Sequence, residues 1–563
     1  MAQEKWADSL LQNMSLEEKI GQMIFHAVTP AFINKEHDYA KYLEKLITEV
    51  KIGGIHVFAA PTYETAFILN KYQSLAETPL LVTADMERGS GSVVRNEIYY
   101  GNDYFTHTPD YLTGGGVQLP PLMAIGAADS EELAYSMGRI TAVEGRSVGI
   151  HQNFAPVMDI NNNPDNPIIN YRSIGEDQKL VERLGTAYLK GIQDNGMIAT
   201  AKHFPGHGDT DVDTHIELPF LKINMSRLEK TELPPFEAVI NSGVKSIMSA
   251  HIALPEITGN DLPATLSGNI LTDLLRNKLN FQGLIVTDAM VMGGILNRFD
   301  SETSAVMATK AGADMLLLFK EPEKAAEGIL KAVNSGDISE QRINESVKRI
   351  LNAKQWIGLN RKKMVDLNKI ENILGKPEHF ETAEKISRKA VTLLKNENNL
   401  LPFSEKNNKY LIRISDDYKT DYGKYFKDQL YSSFGIKDEF FLWSKSTDNE
   451  LQEIADKIPS GSIVICPAYI YIGAWKGSVQ IPGKIAAFLK VLKNKGVKIV
   501  VISFGSPYIY GQINFIDCYL CAYYGTYELE KTVVHILAGK INPEGRLPVS
   551  IPGYFKFGDG LTY

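Results

Sequence analysis

Between Gly21 and Phe319 the chain repeats one theme eight times: a short apolar run, then a longer stretch with the spacing of an amphipathic helix. The runs fall at 22–27, 54–58, 80–84, 152–157, 197–203, 246–251, 284–288 and 314–319. They do not alternate apolar with polar residues, so as strands they must be buried on both faces. Parallel sheets flanked by helices bury strands in this way, whereas a sheet with one wet face does not. Eight such units in succession predict a (β/α)8 barrel, with any active site at the carboxyl ends of its strands. A helical stretch at 338–358 completes this unit, and the charged segment from Arg361 to Glu378 reads as a linker. The expected boundaries are therefore 1–360 for the barrel, 361–380 for the linker and 381–563 for a second domain.

A length of 563 residues is too great for a single core, which supports that division. After the linker, apolar runs resume at 410–414, 439–443, 462–466, 498–504 and 518–523, with helical patterns at 484–493 and 529–538. These predict a smaller open α/β sandwich with a largely parallel sheet. Cys518-Tyr519-Leu520-Cys521 has CxxC spacing, yet it lies inside an apolar run rather than opening a helix. We therefore expect buried strand cysteines and no redox or metal role. The net charge of −8 argues against a nucleic-acid surface. No apolar run approaches the roughly 20 residues of a membrane span. The amino terminus shows no basic-plus-apolar leader. A mature exported protein would read the same, so cytoplasmic and periplasmic or secreted locations both stay open, as do monomer and homodimer.

Five of the predicted barrel strands end in, or just before, a group able to do chemistry: Asp85, Asp159, His203, His251 and Asp288. Barrel geometry would converge them on one mouth. The fifth strand continues into Lys202-His203-Phe204-Pro205-Gly206-His207-Gly208-Asp209-Thr210-Asp211-Val212-Asp213-Thr214-His215, where the proline and glycines forbid helix. That irregularity decides against a metal. A zinc pair at the spacing of His203 and His207 needs a helix. Asp209, Asp211 and Asp213 imitate a calcium loop, but Thr214 stands where its glycine should be and Phe220 where its glutamate should be. No cofactor is expected. The tyrosine-rich segment from Tyr99 to Gly116 follows strand three and is expected to overhang the mouth. Read by itself, Asp288 fits two roles equally, a nucleophile or a carboxylate capping the next helix.

The motifs resemble those of family 3 glycoside hydrolases, in the bacterial β-N-acetylglucosaminidase branch. The loop from Lys202 to His215 looks like the signature of that branch. Further blocks match in order: Asn153-Phe154-Ala155-Pro156-Val157-Met158-Asp159, Arg172-Ser173-Ile174-Gly175, Met248-Ser249-Ala250-His251, Pro263-Ala264-Thr265-Leu266-Ser267, and Gly283-Leu284-Ile285-Val286-Thr287-Asp288-Ala289-Met290. The ending from Gly545-Arg546-Leu547-Pro548 to Tyr563 resembles the end of the family's second domain. The resemblance implies Asp288 as nucleophile and His215 as proton donor, oriented by Asp213. An imidazole can give a proton to the leaving group and then take one from water near neutrality. It implies Asp85, Arg172, Lys202 and His203 as ligands of the terminal sugar. Here Asp85-Met86-Glu87-Arg88-Gly89-Ser90-Gly91 departs from the usual Asp-Gln-Glu-Gly-Gly followed closely by arginine, which makes Arg95 the expected equivalent of that arginine. His207 and Asp209 are read as loop braces, and His251 as either a wall of the sugar pocket or a brace.

The implied activity is a retaining exo-β-N-acetylglucosaminidase acting on small GlcNAc-containing carbohydrates, muropeptides or chitooligosaccharides. A role in peptidoglycan recycling would follow. Three alternatives compete with it: a β-N-acetylglucosaminide phosphorylase, a β-glucosidase or xylosidase of the same family, and a non-catalytic carbohydrate binder.

Overall fold

The computed structural model describes residues 4–94, 115–404, 408–416 and 422–563. Its chain forms two compact units. The first comprises 1–118, 134–159 and 185–380; the second comprises 119–133, 160–184 and 381–563. The segment read as a linker thus groups with the first unit, and two insertions from the amino-terminal half group with the second.

The first unit holds eight parallel strands: β1 (Ile24–Val28), β2 (Gly54–Val57), β3 (Leu81–Ala84), β4 (Gln152–Asn153), β5 (Ile198–Phe204), β6 (Ser246–Ser249), β7 (Leu284–Thr287) and β8 (Leu316–Leu317). They pair in sequence, with β8 returning to β1. All eight fall where the apolar runs predicted them. The fourth is shorter than 152–157, because the ladder breaks before Pro156, which has no N–H to donate. Val157 keeps only an isolated bridge to Lys202.

The seam between β7 and β8 has the least strand pairing, a single bridge from Val286 to Met315. Side chains reinforce it. Buried Asp314 accepts from Ile285 N at 2.9 Å, Arg276 Nη2 at 2.8 Å, Ser346 Oγ at 2.7 Å and Arg349 Nη1 at 3.1 Å. Helices outside the barrel begin on the residues their sequences offer: Ser15 with Glu18 forms a capping box, Asp300 caps Ser301–Ala311, and Ser339 caps Glu340–Trp356. One cation is buried at the helix–barrel contact near the amino end of β1. Lys354, fully buried, donates to Gln22 Oε1 at 2.6 Å.

The second unit is a six-stranded sheet. It contains β9 (Thr392–Asn396), β10 (Lys409–Ser415), β11 (Glu439–Leu442), β12 (Ile463–Tyr469), β13 (Lys498–Ser503) and β14 (Cys518–Cys521), in the order β11-β10-β12-β13-β14-β9. Five strands are parallel, as expected, while β9 joins β14 antiparallel and was not foreseen. Cys466, Cys518 and Cys521 are free and buried in these strands. Burial raises all three thiol pKa values. Among the described residues, no helix is long and apolar enough to cross a membrane.

Candidate active site

Strand ends place the first cluster. Asp85 directly follows β3, and Lys202 lies near the carboxyl end of β5. The buried Lys202 ammonium reaches Asp85 Oδ1 and Glu87 Oε1, both at 2.7 Å. His56, at the end of β2, points Nε2 at Asp85 Oδ2 from 3.5 Å while its Nδ1 meets Thr83 Oγ1 at 3.0 Å. Asp85 is the half-exposed member of the group. One carboxylate is therefore steered by two buried nitrogen groups and presented to solvent. Glu87 and His56 were not singled out in the sequence; the signal for His56 was its place at the end of an apolar run.

The next cluster organises the long loop after β5. Asp159 is buried and takes hydrogen bonds from three directions: His203 N, His203 Nδ1 at 2.7 Å and His207 N at 2.8 Å. Burial pushes its carboxyl up, but the two histidines and their N–H groups outweigh this and hold it below the usual range. Asp159 is thus a brace beneath the mouth, and it fixes the orientation of the His203 ring. His207 meets Thr210 Oγ1 at 2.8 Å, and burial lowers its pKa to about 4. Arg227 bridges Asp209 at 3.1 Å and Glu232 at 2.9 Å. His207 and Asp209 accordingly serve as loop braces.

At the far end of this loop Asp213 is buried, and its Oδ1 accepts from His215 N at 2.9 Å and faces His215 Nδ1 at 2.8 Å. One oxygen holds both the backbone and the ring, so the imidazole's direction is set while it keeps partial exposure. His251 lies against Thr265 Oγ1 at 2.9 Å and the Ala289 carbonyl at 3.1 Å, contacts that fix its ring.

Asp288 follows β7 and remains partly accessible, though deep among protein atoms. It accepts from Ala289 N at 2.7 Å. Burial is the largest influence on its carboxyl and pushes the pKa up. The fields of His251 and His203, the Ala289 N–H and the Lys202 charge together bring it down to about 2. Burial in turn holds the His251 pKa below its usual value. The result is an ionised carboxylate at a barrel mouth, beside an imidazole loop braced by aspartates.

Arg172 ends the short helix Asn170–Arg172 in the second compact unit, where its Nη1 donates to the Ile168 carbonyl at 3.0 Å. Arg95, and the segment from Tyr99 as far as residue 114, lie outside the described residues.

These features define a (β/α)8-barrel enzyme with its chemistry at the carboxyl ends of the strands. Residues 106–353 match the glycosyl hydrolase family 3 N-terminal domain, and residues 391–557 the family 3 C-terminal domain. A solved family 3 β-N-acetylglucosaminidase from Paenibacillus is 31% identical with a TM-score of 0.82, covering 96% of this chain and 99% of that one. A Cellulomonas fimi β-N-acetylglucosaminidase/β-glucosidase is 29% identical, over 71% of this chain and 68% of its own length. A β-hexosaminidase of Nitrosomonas eutropha is 34% identical, over 49% of this chain and 76% of its own. The chain belongs to glycosyl hydrolase family 3, and it is a glycoside hydrolase.

Proposed function

We propose that this enzyme is a retaining exo-β-N-acetylglucosaminidase that removes a terminal non-reducing β-linked GlcNAc, with Asp288 as nucleophile and His215 as acid and base. The observation that carries the reading is the pairing of an ionised Asp288 with a His215 ring held by Asp213 in one barrel unit. In the first step the Asp288 carboxylate attacks the anomeric carbon, the bond to the leaving oxygen breaks, and His215 Nε2 gives that oxygen its proton. In the second, His215 takes a proton from water, the water oxygen attacks the same carbon, and the bond to Asp288 breaks. Asp213 stabilises the imidazolium between the steps, as an orienting aspartate does.

Asp85, Lys202 and His203 serve as ligands of the sugar hydroxyls, with Arg172 and Arg95 proposed to complete the set. A charged partner on each hydroxyl makes recognition strict, because a sugar lacking the group leaves a buried polar atom unpaired. The relatives named for N-acetylglucosaminidase and hexosaminidase activity support GlcNAc as the sugar. Muropeptides and chitooligosaccharides are the proposed sources. The test compares aryl β-GlcNAc with aryl β-glucose and traps the intermediate with a fluorinated, slowly released sugar. Preference for GlcNAc and an adduct on Asp288 are expected. Preference for glucose, or an adduct on another residue, overturns the assignment. Release of GlcNAc 1-phosphate in phosphate buffer would identify a phosphorylase instead.

A further inference from the structure

The proton-donor loop is docked onto the segment that follows the nucleophile. Gly293 N donates to the His215 carbonyl at 3.1 Å, Gly294 N to the Thr214 carbonyl at 3.1 Å, and Asn297 Nδ2 to the Ile216 carbonyl at 2.9 Å. Three consecutive carbonyls are thus held by one short stretch beginning five residues after Asp288. Close approach requires the absence of a side chain. A Cβ on Gly293 would lie 2.4 Å from the Ile216 carbonyl oxygen and 2.7 Å from that of His215, distances that real Cβ atoms do not reach. On Gly294 the nearest atoms would be His251 Cβ and the Thr214 carbonyl oxygen, both at 3.4 Å, which is tight but tolerable. Gly293 does not have the positive φ that would itself demand glycine, so its requirement comes from this contact alone.

The geometry points to Gly293, Gly294 and Asn297 as a latch that positions the proton donor relative to the nucleophile. Asp213 sets the direction of the His215 ring, and the latch sets the position of the backbone that carries it. The two reacting groups belong to loops 73 residues apart in sequence (215 to 288), and these hydrogen bonds, two from backbone amides and one from the Asn297 side chain, tie the loops together directly. The segment acts through His215, so these are positioning residues. The inference rests on His215 being the proton donor.

Gly293→Ala must push the loop away by about an ångström, a displacement of the size that costs on the order of 100-fold when it misplaces a catalytic group. The loss should depend on the leaving group. We expect kcat/KM on chitobiose to fall about 100-fold, while kcat/KM on 2,4-dinitrophenyl β-GlcNAc, whose leaving group needs no proton, falls no more than about 3-fold. Azide, which attacks the intermediate without a general base, should raise kcat of the variant on the dinitrophenyl substrate and leave the wild type unchanged. Gly294→Ala should stay within a few-fold of wild type on both substrates, by its greater clearance.

Equal loss on both substrates, or undiminished chitobiose cleavage by Gly293→Ala, overturns the latch. Should that variant not fold, Asn297→Ala takes its place, with the same selectivity at about 5-fold expected from one lost hydrogen bond and the same two outcomes against it. His215→Ala separates the two ideas. If it shows no leaving-group dependence, the assignment of the proton donor fails; if it does and the latch variants match wild type, the latch alone fails.

Discussion

Replacing Lys354 by Met should stabilise the barrel unit at neutral pH and remove a slope from its pH dependence. Lys354 is fully buried, and it donates to the neutral Gln22 Oε1. Burial lowers its pKa from 10.5 to about 7. Between those values the unfolded chain holds a proton that the folded one has released, so stability rises with pH by about 1.4 kcal/mol per unit. The full window amounts to about 5 kcal/mol, present above pH 10.5 and lost as pH falls to 7. Met preserves the chain length and its apolar contacts without the charge. It leaves Gln22 Oε1 without that donor, at a cost of about 1 kcal/mol.

Urea unfolding followed by tryptophan fluorescence provides the assay. A background with Trp443 and Trp475 changed to Phe leaves Trp6 and Trp356, both in the first unit, as reporters. The stability advantage of Lys354→Met should be greatest at pH 7 and shrink by about 4 kcal/mol towards pH 10.5. Other titrations contribute to both proteins and cancel in that difference. An advantage that stays constant across the range would refute the reasoning.

With its carboxyl held at about 2, Asp288, the proposed nucleophile, remains ionised through the weakly acidic range. kcat/KM on a dinitrophenyl glycoside should then show no acid limb between pH 8 and about pH 3, and a limb near about 3.9, the ordinary aspartate value, would contradict it. Asp159→Ala removes the acceptor of three loop hydrogen bonds and should lower kcat/KM at least about 100-fold at pH 7, taking only one to two charge-assisted bonds as effective; a loss under about 5-fold would show that the loop holds without it. The three buried thiols should stay silent to a disulfide reagent in the native protein and all react in urea. Labelling of Cys518 or Cys521 before unfolding would argue for an opening of β14.

Eight strands were legible because continuous burial imposes a local signature, short runs without polar alternation. The shortened β4 was less so, since Pro156 is apolar but cannot donate to a ladder. β9 was missed because Thr392–Asn396 follows the helix Pro377–Ala390 without a turn signal between them, and its antiparallel pairing depends on β14 more than a hundred residues later. The candidate site divided in the same way. Asp85, Lys202, His203, Asp213, His215 and Asp288 could be named from motif and position. Their partners could not: Glu87 and His56 around Asp85, or Asp159 as a brace beneath the loop.

The sequence by itself therefore determined which segments are buried and which reactive groups are supplied at the strand ends, because periodicity and residue type are properties of neighbouring positions. Only the tertiary structure decided which carboxylate faces solvent and which is spent on bracing. It also decided that Gly293 is the point where two loops meet. Those outcomes turn on separations of a few ångströms between residues far apart in the chain, and such distances exist only once the barrel has brought its strand ends together.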